Sequence, residues 1–98
     1  MDDFSENILK FETQLKTTFS FELLEKNYSA HSFGSGFAAY RIKGKIFRIS
    51  FDGRDRKFNV EKSKSHQRYP ECEWKSILYA SSKDFLESIN HKISKSLI

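Results

Sequence analysis

The stretch from Gly36 to Val60, GFAAYRIKGKIFRISFDGRDRKFNV, contains three runs in which apolar and polar side chains alternate, separated by two short breaks. Alternation at period two places successive side chains on opposite faces of a strand, so each run reads as β. The breaks, Lys43-Gly44 and a turn beginning at Asp52-Gly53, are hairpin signals, because Asp and Gly tolerate the positive φ of tight connections. With tight turns, Ala38, Tyr40 and Ile42 share a face with Phe47, Ile49 and Phe51 and with Phe58 and Val60. A four-residue second loop preserves that facing, since adding two residues does not change the side to which a side chain points. That face is the expected core. The other face carries Phe37, Arg41, Ile46, Arg48, Lys57 and Asn59. Tight pairing sets Arg48 opposite Lys57, a repulsive arrangement unless an anion or Glu61 relieves it.

Toward the N-terminus, FSFELLEKNYS also alternates, with Phe19, Phe21 and Leu23 on one side, and reads as a further strand. The segment SAHSFGSG between it and the meander is rich in Ser and Gly and reads as a loop. From Asp3 to about Thr18, the apolar residues Phe4, Ile8, Phe11 and Leu15 recur three or four apart, the spacing of one helix stripe. Ser5 is the expected cap, with Glu6 in the first turn. Toward the C-terminus, residues 62 to 72, KSKSHQRYPEC, are polar, hold the proline and read as a long exposed connection. EWKSILYA reads as the last strand, with either Trp74 and Leu78 or Ile77 and Tyr79 facing inward. SSKD then forms a capping-box pattern, Ser81 capping and Asp84 reaching back, and Phe85, Ile89, Ile93 and Leu97 continue at helical spacing. The order is helix, about five antiparallel strands, helix. It specifies an α+β fold in which the N-terminal and C-terminal helices pack on the Phe47/Phe58 face and the other face stays open.

The chain of 98 residues is the length of one domain spanning residues 1–98. Ten Phe, four Tyr and one Trp supply core volume, and one Pro and four Gly exclude disordered and collagen-like classes. The lone Cys72 has no partner for an internal disulfide, and the acidic start MDDFSENILK lacks the pattern of a signal peptide. A cytosolic location is therefore expected, with no membrane association. The formal charge of +4 is unevenly distributed. Residues 1–30 hold three lysines against six carboxylates, residues 31–70 ten basic residues against three, and residues 71–98 four against four. A basic block of this kind attracts nucleic acid or acidic protein surfaces, or serves as a solvated face that aids solubility.

Candidate chemistry is sparse. His31, His66 and His91 fall on separate expected elements without metal-ligand spacing, and Cys72 has no second thiol nearby in sequence, so no metal or cofactor is expected. His66 with His31 or Glu71 would fit a ribonuclease-like acid–base pair, but histidines in loops are commonly solvated, and no catalytic residue is assigned. SFGSG precedes a strand, the wrong context for a nucleotide-binding loop. Arg54 and Arg56 flank Asp55 in the turn, where they either neutralise locally or present guanidinium forks to a partner. Most of the Phe residues alternate inward, leaving Phe37, Tyr28 and Tyr69 as exposed aromatic candidates.

An α-β-β-β-α order with basic residues is similar to the double-stranded RNA-binding domain. That family places a Lys-rich motif at the start of its last helix, where this chain has SSKDFLESINHK. The run from GFAAYRIKGKIFRISFDGRDRKFNV through WKSILYASSKDFLESI, roughly residues 36 to 90, resembles the small immunity proteins of bacterial contact-dependent growth inhibition and related toxin systems. That resemblance rests on size, helix-sheet-helix layout and the lack of a catalytic signature. It implies a non-enzymatic binding protein that occludes one toxin domain, often a nuclease. The expected partner-binding residues are Phe37, Arg41, Arg48, Arg54, Arg56 and Lys57. The alternative is an RNA- or DNA-binding module using the same basic sheet face and hairpin.

Overall fold

A computed structural model describes residues 2–64, 69, 71 and 73–97. The order is α1 (Asp3–Lys16), β1 (Phe21–Ser29), a short 3-10 turn (Ala30–Ser32), β2 (Ser35–Ile42), β3 (Lys45–Asp52), β4 (Lys57–Ser63), β5 (Trp74–Ser81) and α2 (Ser82–Ser96). The five strands form one antiparallel meander in the order β1-β2-β3-β4-β5. The fold is α+β, as expected from the residue pattern. Both helices lie on one face, α1 over β1 and β2, α2 over β4 and β5, and they meet each other along the midline.

The core is the face expected from alternation. Ala38, Tyr40, Ile42, Phe47, Ile49, Phe51, Phe58 and Val60 are all buried, against Phe4, Ile8, Phe11 and Leu15 of α1 and Phe85, Ile89 and Ile93 of α2. The Phe58 and Phe85 rings stack with centroids 4.2 Å apart, and Phe51 lies 4.6 Å from Phe58 on the sheet side. Tyr40 is fully buried and keeps its hydroxyl satisfied by donating to Glu12 Oε2 at 2.7 Å, and Lys26 Nζ pairs with the same oxygen at 3.0 Å. Burial, reinforced by that carboxylate, pushes the Tyr40 phenol far above its ordinary range.

The β2–β3 connection is a two-residue turn with φ of 50° at Lys43 and 77° at Gly44, the twist that suits antiparallel strands. The β3–β4 loop is longer. It spans residues 53–56, so Asp52 pairs with Lys57 and Arg48 lies opposite Glu61, not opposite Lys57 as tight pairing had implied. Its positive φ falls on Arg56, at 56°, and not on Gly53. Glycine is required at 53 by proximity, since a Cβ there would sit 1.9 Å from the Phe33 carbonyl oxygen. Asp52 Oδ1 organises the loop by accepting from the amides of Arg54 at 2.9 Å and Asp55 at 3.3 Å.

Gly36 has a comparable packing role. A Cβ there would meet Asn27 O at 2.7 Å and the Phe4 ring at 2.8 Å. Across the sheet, Gly36 pairs with Tyr28 on one side and Phe51 on the other. Phe4 has its ring centroid 6.4 Å from both Tyr28 and Phe51, above the gap that glycine leaves between them. Tyr28, an exposed aromatic candidate, is indeed exposed, yet its ring is engaged by α1.

Both helix starts differ from the caps expected. Asp2, not Ser5, caps α1, its Oδ1 accepting from the Ser5 amide at 2.7 Å, because the helix already begins at Asp3. Ser81 occupies the N-cap position of α2 but makes no side-chain capping bond. It is still paired with Lys57 in the sheet, so β5 passes into α2 without a loop in which the side chain can turn back. Two bulges break the alternation. Leu24 is the extra residue between the Leu23–Tyr40 and Glu25–Ala39 pairs, and Ile77 is the extra residue between the Leu78–Val60 and Ser76–Glu61 pairs. The second bulge answers the question of facing in β5. Leu78 lies with Val60, Trp74 takes the opposite face, and Ile77 also packs against the core.

Candidate functional site

The face not covered by helices is organised around Arg48. Its neighbours across the strands are Ala39 on β2 and Glu61 on β4. Both Nε, at 2.9 Å, and Nη2, at 2.7 Å, donate to Glu61 Oε1. The guanidinium carbon lies 4.4 Å from the centroid of the Trp74 ring, a cation–π geometry. The side chain of Arg48 is 33% exposed and that of Glu61 15%. This is a half-buried charge pair stacked on an aromatic ring, contacts that restrict the rotamers open to the arginine.

Beside it lies a concavity of about 580 Å³ lined by residues of four strands and of the two longer connections. Phe37, Arg48 and Ser50 line it from β2 and β3, Glu25 and Asn27 from β1, and Trp74 from β5. Tyr69, from the connection between β4 and β5, also lines it and donates its hydroxyl to Glu25 Oε1 on the far edge strand. Its ring meets Trp74 edge-on at 6.4 Å. Tyr69 thus reaches across the sheet from a connection expected to be exposed, of which residues 65–68, 70 and 72 lie outside the described residues. Serine hydroxyls, the Asn27 amide, aromatic rings, the Arg48 guanidinium and the Glu25 carboxylate together give the concavity donors, acceptors, stacking surface and charges of both signs.

The expected partner-binding residues separate into two groups. Phe37, Arg41, Arg48 and Lys57 lie on the helix-free face. Phe37 and Arg48 share the concavity, while Arg41 is exposed and paired with Glu22 on β1 at 2.7 Å. Lys57 sits at the end of β4, flanked by Asp52 and Ser81. Arg54 and Arg56 leave this face. The Arg54 guanidinium lies 4.3 Å from the centroid of the exposed Phe33 ring, and Arg56 pairs with Asp3 in the first turn of α1. Among the described residues neither is within ion-pair distance of Asp55, and the two arginines instead tie the turn to Phe33 and to α1. On the same face Ser76 Oγ bonds Asn59 Oδ1 at 2.6 Å, and Ile46 is buried beneath its neighbours.

Sequence reasoning left out Glu61, Trp74, Glu25 and Asn27 as site residues. Glu61 was legible as a relief for Arg48 through its position on the same face. Trp74 was hidden by the Ile77 bulge, and the β1 residues by the Leu24 bulge, because each bulge reverses the facing that simple alternation assigns. His66 and Cys72 lie outside the described residues. His31 is in the turn after β1 and His91 is on α2, both exposed. Among the described residues no group of three His, Cys, Asp or Glu side chains is placed to hold a metal ion, and no helix is long and apolar enough to cross a membrane.

Comparison with protein-family models, with curated proteins and with solved structures finds no match. The functional reading therefore rests on the surface itself.

Proposed function

We propose that this chain is a non-enzymatic binding protein whose helix-free sheet face docks a protein partner. In the form implied by its resemblance to immunity proteins, that partner is a toxin domain whose active site it occludes. The observation that carries the reading is the Arg48 centre, a cation fixed between Glu61 and Trp74 at the edge of a concavity that neither helix covers. Fixed Arg and Trp side chains form effective contact points because little conformational freedom remains to be lost on association. The prior pairing of the arginines favours a protein over nucleic acid at this face. Arg41 and Arg48 already hold carboxylates, and a phosphate would have to displace them.

The test begins with the gene beside the one for this chain, where the reading expects a toxin domain, and co-expresses the two products, scoring growth and complex formation. Parent protein should protect and co-purify. Phe37→Ala with Trp74→Ala should abolish both while the circular-dichroism melt remains cooperative. Unchanged protection by that folded double variant overturns the site, and failure of the parent to bind the neighbouring toxin overturns the immunity assignment.

A further inference from the structure

The fold splits the basic block of the sequence, sending Lys43, Lys45, Lys62 and Lys64 to one end of the sheet and adding Lys75 and Lys95 from outside it. In a meander, the β2–β3 turn, the end of β4 and the start of β5 fall at one end of the sheet. Both helices also terminate there. Lys62 Nζ donates to the Ser96 carbonyl in the last turn of α2 at 2.6 Å, and Lys43 lies 5.7 Å from the ring of Phe19, which follows α1. Lys43, Lys45, Lys62, Lys64, Lys75 and Lys95 therefore gather from stretches of chain well separated in sequence.

Within this group Lys62 and Lys75 are direct cross-strand partners, and Lys45 is on the same side of β3 two residues from the Phe47–Lys62 pair. Like charges so placed repel. Among the described residues Lys45, Lys62 and Lys75 have no carboxylate within ion-pair distance, whereas Lys64 pairs with Glu73 at 3.1 Å. Burial lowers the Lys62 ammonium below its ordinary range, and Lys45 and Lys75 lower it further. A concavity of about 230 Å³ between Lys62, Ser63, Lys64 and Lys75 is open at the surface. The Ser96 carbonyl and the negative end of the α2 dipole compensate part of this charge at Lys62, and the remainder faces solvent.

We propose that this lysine pole is a second binding surface, separate from the Arg48 face, and that it takes the phosphate backbone of a nucleic acid without regard to sequence. The choice of phosphate over carboxylate follows from the side chains. No arginine fork is among these residues to orient a single carboxylate or phosphate, and lysine ammoniums act as point charges, so several of them spread over one pole suit a repeating line of phosphates better than one isolated anion. The six lysines come from turns, strand ends and a helix end, so they form a broad electrostatic footprint.

Fluorescence anisotropy of the full chain with a short labelled DNA duplex of arbitrary sequence, titrated between about 50 and 200 mM NaCl, tests the surface. The parent should bind with an affinity that falls linearly on a log–log salt plot. Lys45→Gln with Lys75→Gln should weaken binding severalfold and reduce the slope by about 0.9 for each phosphate that is no longer neutralised. Lys83→Glu, at the opposite end of the molecule, should leave binding within twofold. The Gln variants remove repulsion and are expected to fold, which a thermal melt verifies. If they unfold, Lys95→Gln, on an exposed helix position, carries the same expectation of weaker binding. No binding by the parent, binding equally weakened by Lys83→Glu, or a variant slope equal to the parent's overturns the proposal. So does tighter binding of a polyglutamate peptide with the same lysine dependence, which would assign the pole to an acidic protein segment.

Discussion

The two faces of this sheet are built from the same strands, and often from adjacent residues, yet they obey different chemistry. On the helix side, Phe47, Ile49, Phe51, Phe58 and Val60 are buried among aromatic rings of α1 and α2. One residue away in each strand, Arg48, Ser50, Asn59 and Glu61 lie in partial contact with water, where Arg48 pairs with Glu61 and Asn59 bonds Ser76. Apolar burial stabilises in proportion to area and without regard to direction. The Arg48–Glu61–Trp74 arrangement contributes less to stability, since partly exposed ion pairs are screened, but it specifies a position and an orientation. Folding free energy is concentrated on one face, and the directional chemistry proposed for recognition on the other.

That division predicts a graded response to substitution. Phe47→Ala should have the largest effect, about 3 to 5 kcal/mol of unfolding free energy in a urea titration, because it empties the centre of the covered face. A loss below about 1 kcal/mol would mean that the helix side does not hold the core. Gly36→Ala should follow at about 1 to 3 kcal/mol, since the new methyl group displaces the Phe4 ring or the Asn27 carbonyl. A combined Phe4→Ala variant should then recover part of the Gly36→Ala penalty in a double-mutant cycle.

On the helix-free face, Glu61→Ala should cost about 1 to 2 kcal/mol, between the values for exposed pairs and for buried pairs that lose one partner. A cost equal to that of Phe47→Ala would make this face a second core and remove the contrast. The smallest effect should come from Asp2. Burial alone raises its carboxyl, but hydrogen bonds from the Ser5 amide and hydroxyl outweigh that and hold it below its ordinary value. A depressed pKa contributes stability that is present above the unfolded value and lost as pH falls through the folded one. Amide exchange in the first turn of α1 should therefore accelerate, relative to the middle of the helix, only in strong acid, and Asp2→Ala should remove that pH dependence.

Alternation and helical spacing are local properties of a chain, and from them alone the residues determined both helices, the strand pattern and the face of every core residue from Ala38 to Val60. That inference was robust because a change of two residues in a loop leaves facing intact. The same tolerance explains what remained undetermined. Facing is insensitive to an even shift in register, but the identity of the opposite residue is not, and the four-residue loop exchanged Lys57 for Glu61 as the partner of Arg48. Single-residue bulges at Leu24 and Ile77 do reverse facing, and nothing in the local pattern marks them. Charge behaves similarly. Counting along the chain placed the basic character in residues 31–70, but only the meander separates Lys43, Lys45, Lys62 and Lys64 of that block from its arginines and brings Lys75 and Lys95 to the same pole. Composition and periodicity select which side chains are inside, because water acts on each residue separately. Only tertiary structure decides which exposed residues meet, because that depends on the lengths of loops and the direction of whole elements.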